Sequence, residues 1–131
     1  MGEKVKEKLS LREIRNSLGA LNEIGKKEGL DFKLNYRIAK NCKNLEPIVK
    51  AYESSLQKFF KENGKYDKAS GGYMLDPKDE SKVIEFQKTN EELLEEEYEA
   101  EIDKIPVKMF LEYDIQAELI RPIFWMLEGS L

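Results

Sequence analysis

The residues with the greatest capacity for chemistry are carboxylates. Glu95, Glu96 and Glu97 run directly into Tyr98-Glu99-Ala100-Glu101-Ile102-Asp103, a period-two alternation that reads as a strand. On a strand, Glu99, Glu101 and Asp103 share one face. Carboxylates grouped in this way could hold a divalent cation through oxygen ligands. A solvated strand face whose charges block edge-to-edge pairing accounts for the same pattern with fewer requirements, and it is the expected reading. The other ingredients of catalysis are sparse. The chain has no histidine, the commonest general base, and a single cysteine, Cys42. Cys42 falls on an apolar helical stripe, which predicts a buried, inert thiol. Asp76 to Glu80 lacks the alternating acids and central glycine of a calcium loop. Gly71-Gly72 is followed by no Gly-Lys-Ser/Thr, so it is a turn and not a phosphate loop. No catalytic, cofactor-binding or metal-binding residue is assigned.

Two surfaces could bind a partner. Ile123, Phe124, Trp125, Met126 and Leu127 are five consecutive large apolar residues, enough to cover every side of a helix. The part that cannot be buried is a candidate protein-binding or self-association surface, with Phe59 and Phe60 extending it; a deeply inserted terminal helix accounts for the run equally well. Phe59 and Phe60 are adjacent, so they cannot both face one narrow core. The acidic run Glu95, Glu96, Glu97, Glu99, Glu101 and Asp103 is the second candidate face. A basic stripe of Lys26, Lys27, Lys33, Arg37, Lys40 and Lys43 beside Tyr36 is interrupted by Glu23, Glu28 and Asp31. It reads as a solvated face, and no nucleic-acid partner is expected.

These residues are positioned by one dominant element. Ile38, Cys42, Leu45, Val49, Tyr52, Leu56 and Phe59 recur at alternating spacings of four and three, one apolar stripe on a helix over 35–63. Asn35 is its expected N-cap, and Asn63-Gly64 is expected to close it as a left-handed C-cap. Pro47 removes the hydrogen bond to the Lys43 carbonyl, so a kink is expected there. The stripe keeps its phase through Pro47, which favours one kinked helix over two. Ser10 and Glu13 form a capping box that opens a helix over 11–27, with Leu11, Ile14, Leu18, Leu21 and Ile24 on its apolar side. Lys4 to Leu9 alternates and reads as a strand or a frayed arm. Short strands are predicted near 31–34, 73–75 and 98–103, forming one small antiparallel sheet. Asp76-Pro77 reads as N-cap and first residue of a helix to about residue 96. Val107 to Ile120 fits a helical turn followed by an extended piece. Pro122 opens a last helix to Glu128. The fold class is α+β, in a single domain over 1–131.

Composition bounds the rest. Residues 1–68 carry 16 basic and 10 acidic side chains, and residues 69–131 carry 6 and 16, which returns the net charge of −4. Such polarity can orient one half of the chain against the other. One cysteine permits no intrachain disulfide, which suits a reducing compartment. Met1 to Ser10 lacks an apolar core of a signal peptide, and no apolar run approaches a membrane span. A cytoplasmic location and no membrane partner are the expectations.

The run Leu34-Asn35-Tyr36-Arg37-Ile38-Ala39-Lys40-Asn41 followed by Leu45-Glu46-Pro47, and the later run Asn90 to Glu97 leading into Ile102-Asp103-Lys104-Ile105, resemble a family of short, uncharacterised proteins of tailed phages and prophages. The resemblance covers nearly the whole chain, and its motifs are structural. It implies a phage origin, a host-cell cytoplasmic location and an unassigned role, and it offers no catalytic residues to carry over; no cofactor is expected. Three functions follow as expectations. The first is a non-enzymatic accessory role in virion assembly, through a phage structural protein or a second copy of the chain. The second is inhibition of a host enzyme or defence complex by a nucleic-acid-mimicking acidic face. The third and least expected is a small divalent-metal enzyme using Glu99, Glu101 and Asp103.

Overall fold

The computed structural model describes residues 4–129. Residues 1–3, the start of the charged segment in which no signal peptide is read, lie outside them. The chain order is β1 (Lys4–Ser10), α1 (Leu11–Gly25), α2 (Phe32–Asn63), β2 (Lys65–Asp67), β3 (Gly72–Met74), α3 (Glu80–Glu95), β4 (Glu97–Asp103), β5 (Ile105–Pro106), a 3-10 turn (Val107–Met109), α4 (Ala117–Ile120), a 3-10 segment (Arg121–Met126) and β6 (Leu127–Glu128). The α+β class holds, with one long helix at its centre.

α2 is continuous through Pro47, in keeping with the unbroken phase of its stripe, and its 32 residues span about 48 Å. It starts three residues before the expected position. Asp31, not Asn35, is the N-cap, its Oδ1 accepting the Leu34 amide at 2.8 Å. The carboxylate satisfies an orphan donor and sits at the positive end of the helix. The strand expected over 31–34 is therefore absorbed into the first helical turn. Gly64 at the other end is extended, with φ −112°, and is not the left-handed cap expected. It is needed for space: a Cβ there would lie 2.3 Å from the Met74 carbonyl oxygen.

α1 begins at the capping box, in which the Ser10 hydroxyl accepts from the Glu13 amide and the Glu13 carboxylate accepts from the Ser10 amide. α3 starts at Glu80 behind an Asp79 N-cap, whereas Asp76-Pro77 forms a preceding turn held by the Asp76 carboxylate and the Lys78 amide. The last segment is a 3-10 helix that gives way to β6, not an α-helix to Glu128.

The strands do not form the single sheet expected. Among the described residues they make three separate pairs: β1 with β4 antiparallel, β2 with β3 antiparallel, and β5 with β6 parallel. β1 is thus a strand and not a frayed arm. Its basic residues face the acids of β4, with Lys8 opposite Glu99 and Lys6 opposite Glu101. The charge polarity of the two chain halves is brought together in this ribbon.

The main core joins α1, the first two-thirds of α2, the inner face of β4 and the C-terminal segment. Ile14, Leu21, Leu34, Leu45, Ile102, Ile105, Ile123 and Met126 are fully buried in it. A smaller cluster of Leu11, Tyr52 and Leu94 ties α1, α2 and α3 together.

Candidate functional site

The α2 stripe outlasts its core. Ile38 to Tyr52 is buried, but Leu56, Phe59 and Phe60 are only half-covered. What lies beside them is α3. Contacts between the two helices run in opposite order: Asn63 with Lys82, Phe59 with Phe86, and Tyr52 with Asn90. The helices are therefore antiparallel, and the β2–β3 hairpin links them. Lys82 Nζ donates to Asn63 Oδ1 at 2.6 Å, and the Gly64 amide donates to the Phe60 carbonyl at 2.7 Å. These bonds and the missing Cβ of Gly64 fold the hairpin against the end of α2.

Phe86 sits at the centre of this lobe. Its ring stacks on Phe59 with centroids 5.6 Å apart and meets Phe60 at 5.0 Å. The trio separates two apolar grooves. One, of about 190 Å³, lies between α2 and α3 and includes Tyr52, Leu56, Phe59, Phe86 and Leu93. The other, about 370 Å³ and more open, is lined by Phe60, Met74, Pro77, Val83 and Phe86. The Tyr52 hydroxyl donates to Asn90 Oδ1 at the base of the first, and the Arg15 guanidinium lies 4.9 Å from the Tyr52 ring centre. Both grooves are lined mainly by apolar and aromatic side chains, with Ser55, Thr89 and Asn90 at the edge of the first and Gln87 at that of the second. They offer apolar area with specific aromatic shape, which suits binding.

The aromatic surface expected from Phe59 to Trp125 is divided. Ile123 and Met126 are fully buried, and Met126 Sδ lies 3.7 Å from Asn41 Nδ2. Asn41 is 18 positions from Phe59 on one helix, about 27 Å along its axis. The two groups therefore do not share a surface. Trp125 is half-buried and anchored: its Nε1–H donates to Ser17 Oγ at 2.9 Å, while its carbonyl accepts from Lys104 Nζ at 2.8 Å. The Ser17 hydroxyl lies 2.7 Å from the Pro122 carbonyl, within donating distance. Only Phe124 of this segment stays open, at 64% exposure. The run buries Ile123 and Met126 and half-covers Trp125 and Leu127, because a 3-10 segment packed along α1 faces protein on more than one side.

The acidic candidates also separate. Glu95 and its neighbour Glu91 pair with Arg12 at 3.2 and 2.8 Å. These hydrogen bonds raise the Arg12 pKa. Glu96 accepts from the Tyr98 hydroxyl at 3.0 Å, which raises the tyrosine pKa. Glu97, Glu99 and Glu101 stay exposed on β4. Asp103 does not join them. It is buried, and its Oδ2 lies 2.6 Å from Lys40 Nζ. That bond raises the Lys40 pKa. Among the described residues no three Asp, Glu or Cys side chains converge on a point where a metal ion could bind.

Several members of the basic stripe are engaged within the protein. Lys26 pairs with Glu23, Arg37 donates to the Lys104 carbonyl, and the partly exposed Lys40 pairs with Asp103. Cys42 is buried beside Asn22, and burial pushes its thiol up to about 11. No helix among the described residues is long and apolar enough to cross a membrane.

Sequence reasoning assigned Phe59 and Phe60 to a surface but did not join them to Phe86 and Leu93. The available signal was the excess length of the α2 stripe together with a second apolar side on α3. Comparison with models of known protein families, with curated proteins and with solved structures finds no match.

Proposed function

We propose that the chain works by binding another protein, without catalysis, through the groove between α2 and α3. The observation that carries this reading is the apolar strip of Leu56, Phe59, Phe86 and Leu93, left half-covered between two antiparallel helices. Its occupant is an amphipathic helix of the partner. A third helix would cover the apolar sides that the first two present in common, as in helix-in-groove recognition. The resemblance of the Leu34–Pro47 and Asn90–Ile105 runs to tailed-phage proteins supports a phage accessory role, with a virion structural protein as the partner. The alternative, inhibition of a host enzyme by charge mimicry, has less support. Glu99 and Glu101 face Lys8 and Lys6 across the ribbon, and Asp103 is withdrawn from the surface.

The test uses the native chain and a Phe86→Asp variant, with folding of the variant confirmed by its thermal transition. Both are mixed with purified virion structural proteins in sedimentation experiments. Binding by the native chain and at least a tenfold loss in the variant are expected, since a charge in an apolar contact is costly. Binding that Phe86→Asp leaves intact would remove the groove from the interface. Absence of binding to every structural protein would remove the assembly role.

A further inference from the structure

β1 is paired on one side only among the described residues. The antiparallel ladder fixes which of its backbone groups face the open side. Opposed residues alternate between pairs that exchange hydrogen bonds and pairs that do not. The Leu11 amide donates to the Glu96 carbonyl at 2.9 Å, one step beyond the Ser10–Glu97 pair. Counting back in twos, Leu9, Glu7 and Val5 direct their amides and carbonyls to β4, whereas Lys8 and Lys6 direct theirs outward. Two side-chain bonds agree with this phase. The Ser10 amide is free for Glu13, and the Asp103 amide is free for Asn41.

The outer edges of the ribbon differ. That of β4 is closed at Asp103 by the Asn41 side chain on α2, which packs along the strand. Among the described residues no strand pairs with that of β1. Lys6 and Lys8 are exposed on one face, and neither forms an ion pair among the described residues, although Glu101 and Glu99 lie opposite. Glu7 is half-buried on the other face, between Val5 and Leu9.

This Lys-Glu-Lys pattern is selective. A second copy of β1, antiparallel and centred on Glu7, would set Lys6 against Lys8 and Glu7 against Glu7. Like charges directly opposed destabilise a strand pair, and lysines on an edge are a known guard against such pairing. The same charges fit a complementary strand. We infer that the outer edge of β1 takes an extended, antiparallel segment of another protein whose central residues are acidic, basic and acidic, set opposite Lys8, Glu7 and Lys6. The outward amides and carbonyls of Lys6 and Lys8 supply the backbone bonds, and the three side chains supply the selection. This site lies on a different element from the α2–α3 groove and does not depend on it.

The test uses two soluble peptides in which Glu-Lys-Glu or the reversed Lys-Glu-Lys is flanked by alternating threonine and valine. Amide hydrogen exchange is followed residue by residue. The Glu-Lys-Glu peptide is expected to slow exchange at Lys6 and Lys8 by about tenfold or more, and the reversed peptide to leave it unchanged. The triple variant Lys6→Glu, Glu7→Lys, Lys8→Glu is expected to reverse that preference. Lys8→Pro removes an outward amide without removing a ladder bond, so it is expected to abolish the effect. Protection at Val5 and Leu9 reports that each variant keeps the ribbon. Equal protection by both peptides, protection that survives Lys8→Pro, or no protection by either would overturn the inference. So would a doubling of mass without peptide that protects Lys6 and Lys8, since a second copy would then occupy the edge.

Discussion

The Asn41 side chain bonds both backbone groups of Asp103. Its Nδ2 donates to the Asp103 carbonyl at 2.9 Å, and its Oδ1 accepts from the Asp103 amide at 2.9 Å. One amide side chain on α2 thus takes the place of a neighbouring strand at the end of β4. Asn41 is fully buried, so the arrangement depends on each donor meeting its acceptor. Asn41→Leu fills similar space but leaves the Asp103 amide and carbonyl unpaired. A loss of about 2–4 kcal/mol is expected in urea unfolding, at unchanged slope. A loss below about 0.5 kcal/mol would show that solvent reaches both groups.

Ser17 holds the C-terminal segment to α1 through Trp125 and Pro122. Ser17→Ala removes the acceptor of the indole N–H and the hydroxyl donor that lies within reach of the Pro122 and Glu13 carbonyls. A destabilisation of about 1–3 kcal/mol is expected, with a changed Trp125 emission maximum before global unfolding. Trp125 is the single tryptophan, so the emission needs no assignment.

The close approach at Gly64 predicts a local effect. In Gly64→Ala the new methyl group meets the Met74 carbonyl oxygen, a backbone atom that can move only with its strand. Faster amide exchange is expected across Lys65–Met74, with a cost of about 1–3 kcal/mol and little change at Leu21 or Leu45.

Stability is expected to fall in alkali. Burial raises the Cys42 thiol from an ordinary 9.0 to about 11, so between these values the unfolded chain has lost a proton that the folded chain keeps. Stability therefore declines as pH rises through this window. The hydrogen bond to Asp103 raises Lys40 above its ordinary 10.5. Its contribution is complete below 10.5 and is lost as pH rises through the folded value. Cys42→Ala should flatten the decline between pH 9 and 11 in denaturant titrations, while Lys40→Met should flatten only the part above about 10.5.

Local pattern carried much of the architecture. The three- and four-residue spacings specified α1 and α2, the capping box fixed the start of α1, and the alternation from Tyr98 to Asp103 identified β4. These signals arise from neighbours on one element, where side-chain period and backbone geometry are linked. Helix starts were less legible. Asp31 and Asn35 are both good caps, and only the placement of Leu34 in the core selects the earlier one.

Long-range packing decided the candidate surfaces. No local rule distinguishes Asp103 from Glu99 and Glu101, which share its strand face. Asp103 is buried because α2 crosses that end of β4 and supplies Lys40 and Asn41. Ile123 to Leu127 reads as an apolar excess in isolation, but α1 and β5 give it partners. Conversely, the α2 stripe reads as one continuous apolar side from Ile38 to Phe59, with no local mark of where the core ends. The core reaches only to Tyr52, and α3 leaves the remainder as a groove. Periodicity states which residues avoid water, whereas the meeting of distant elements determines which of them succeed.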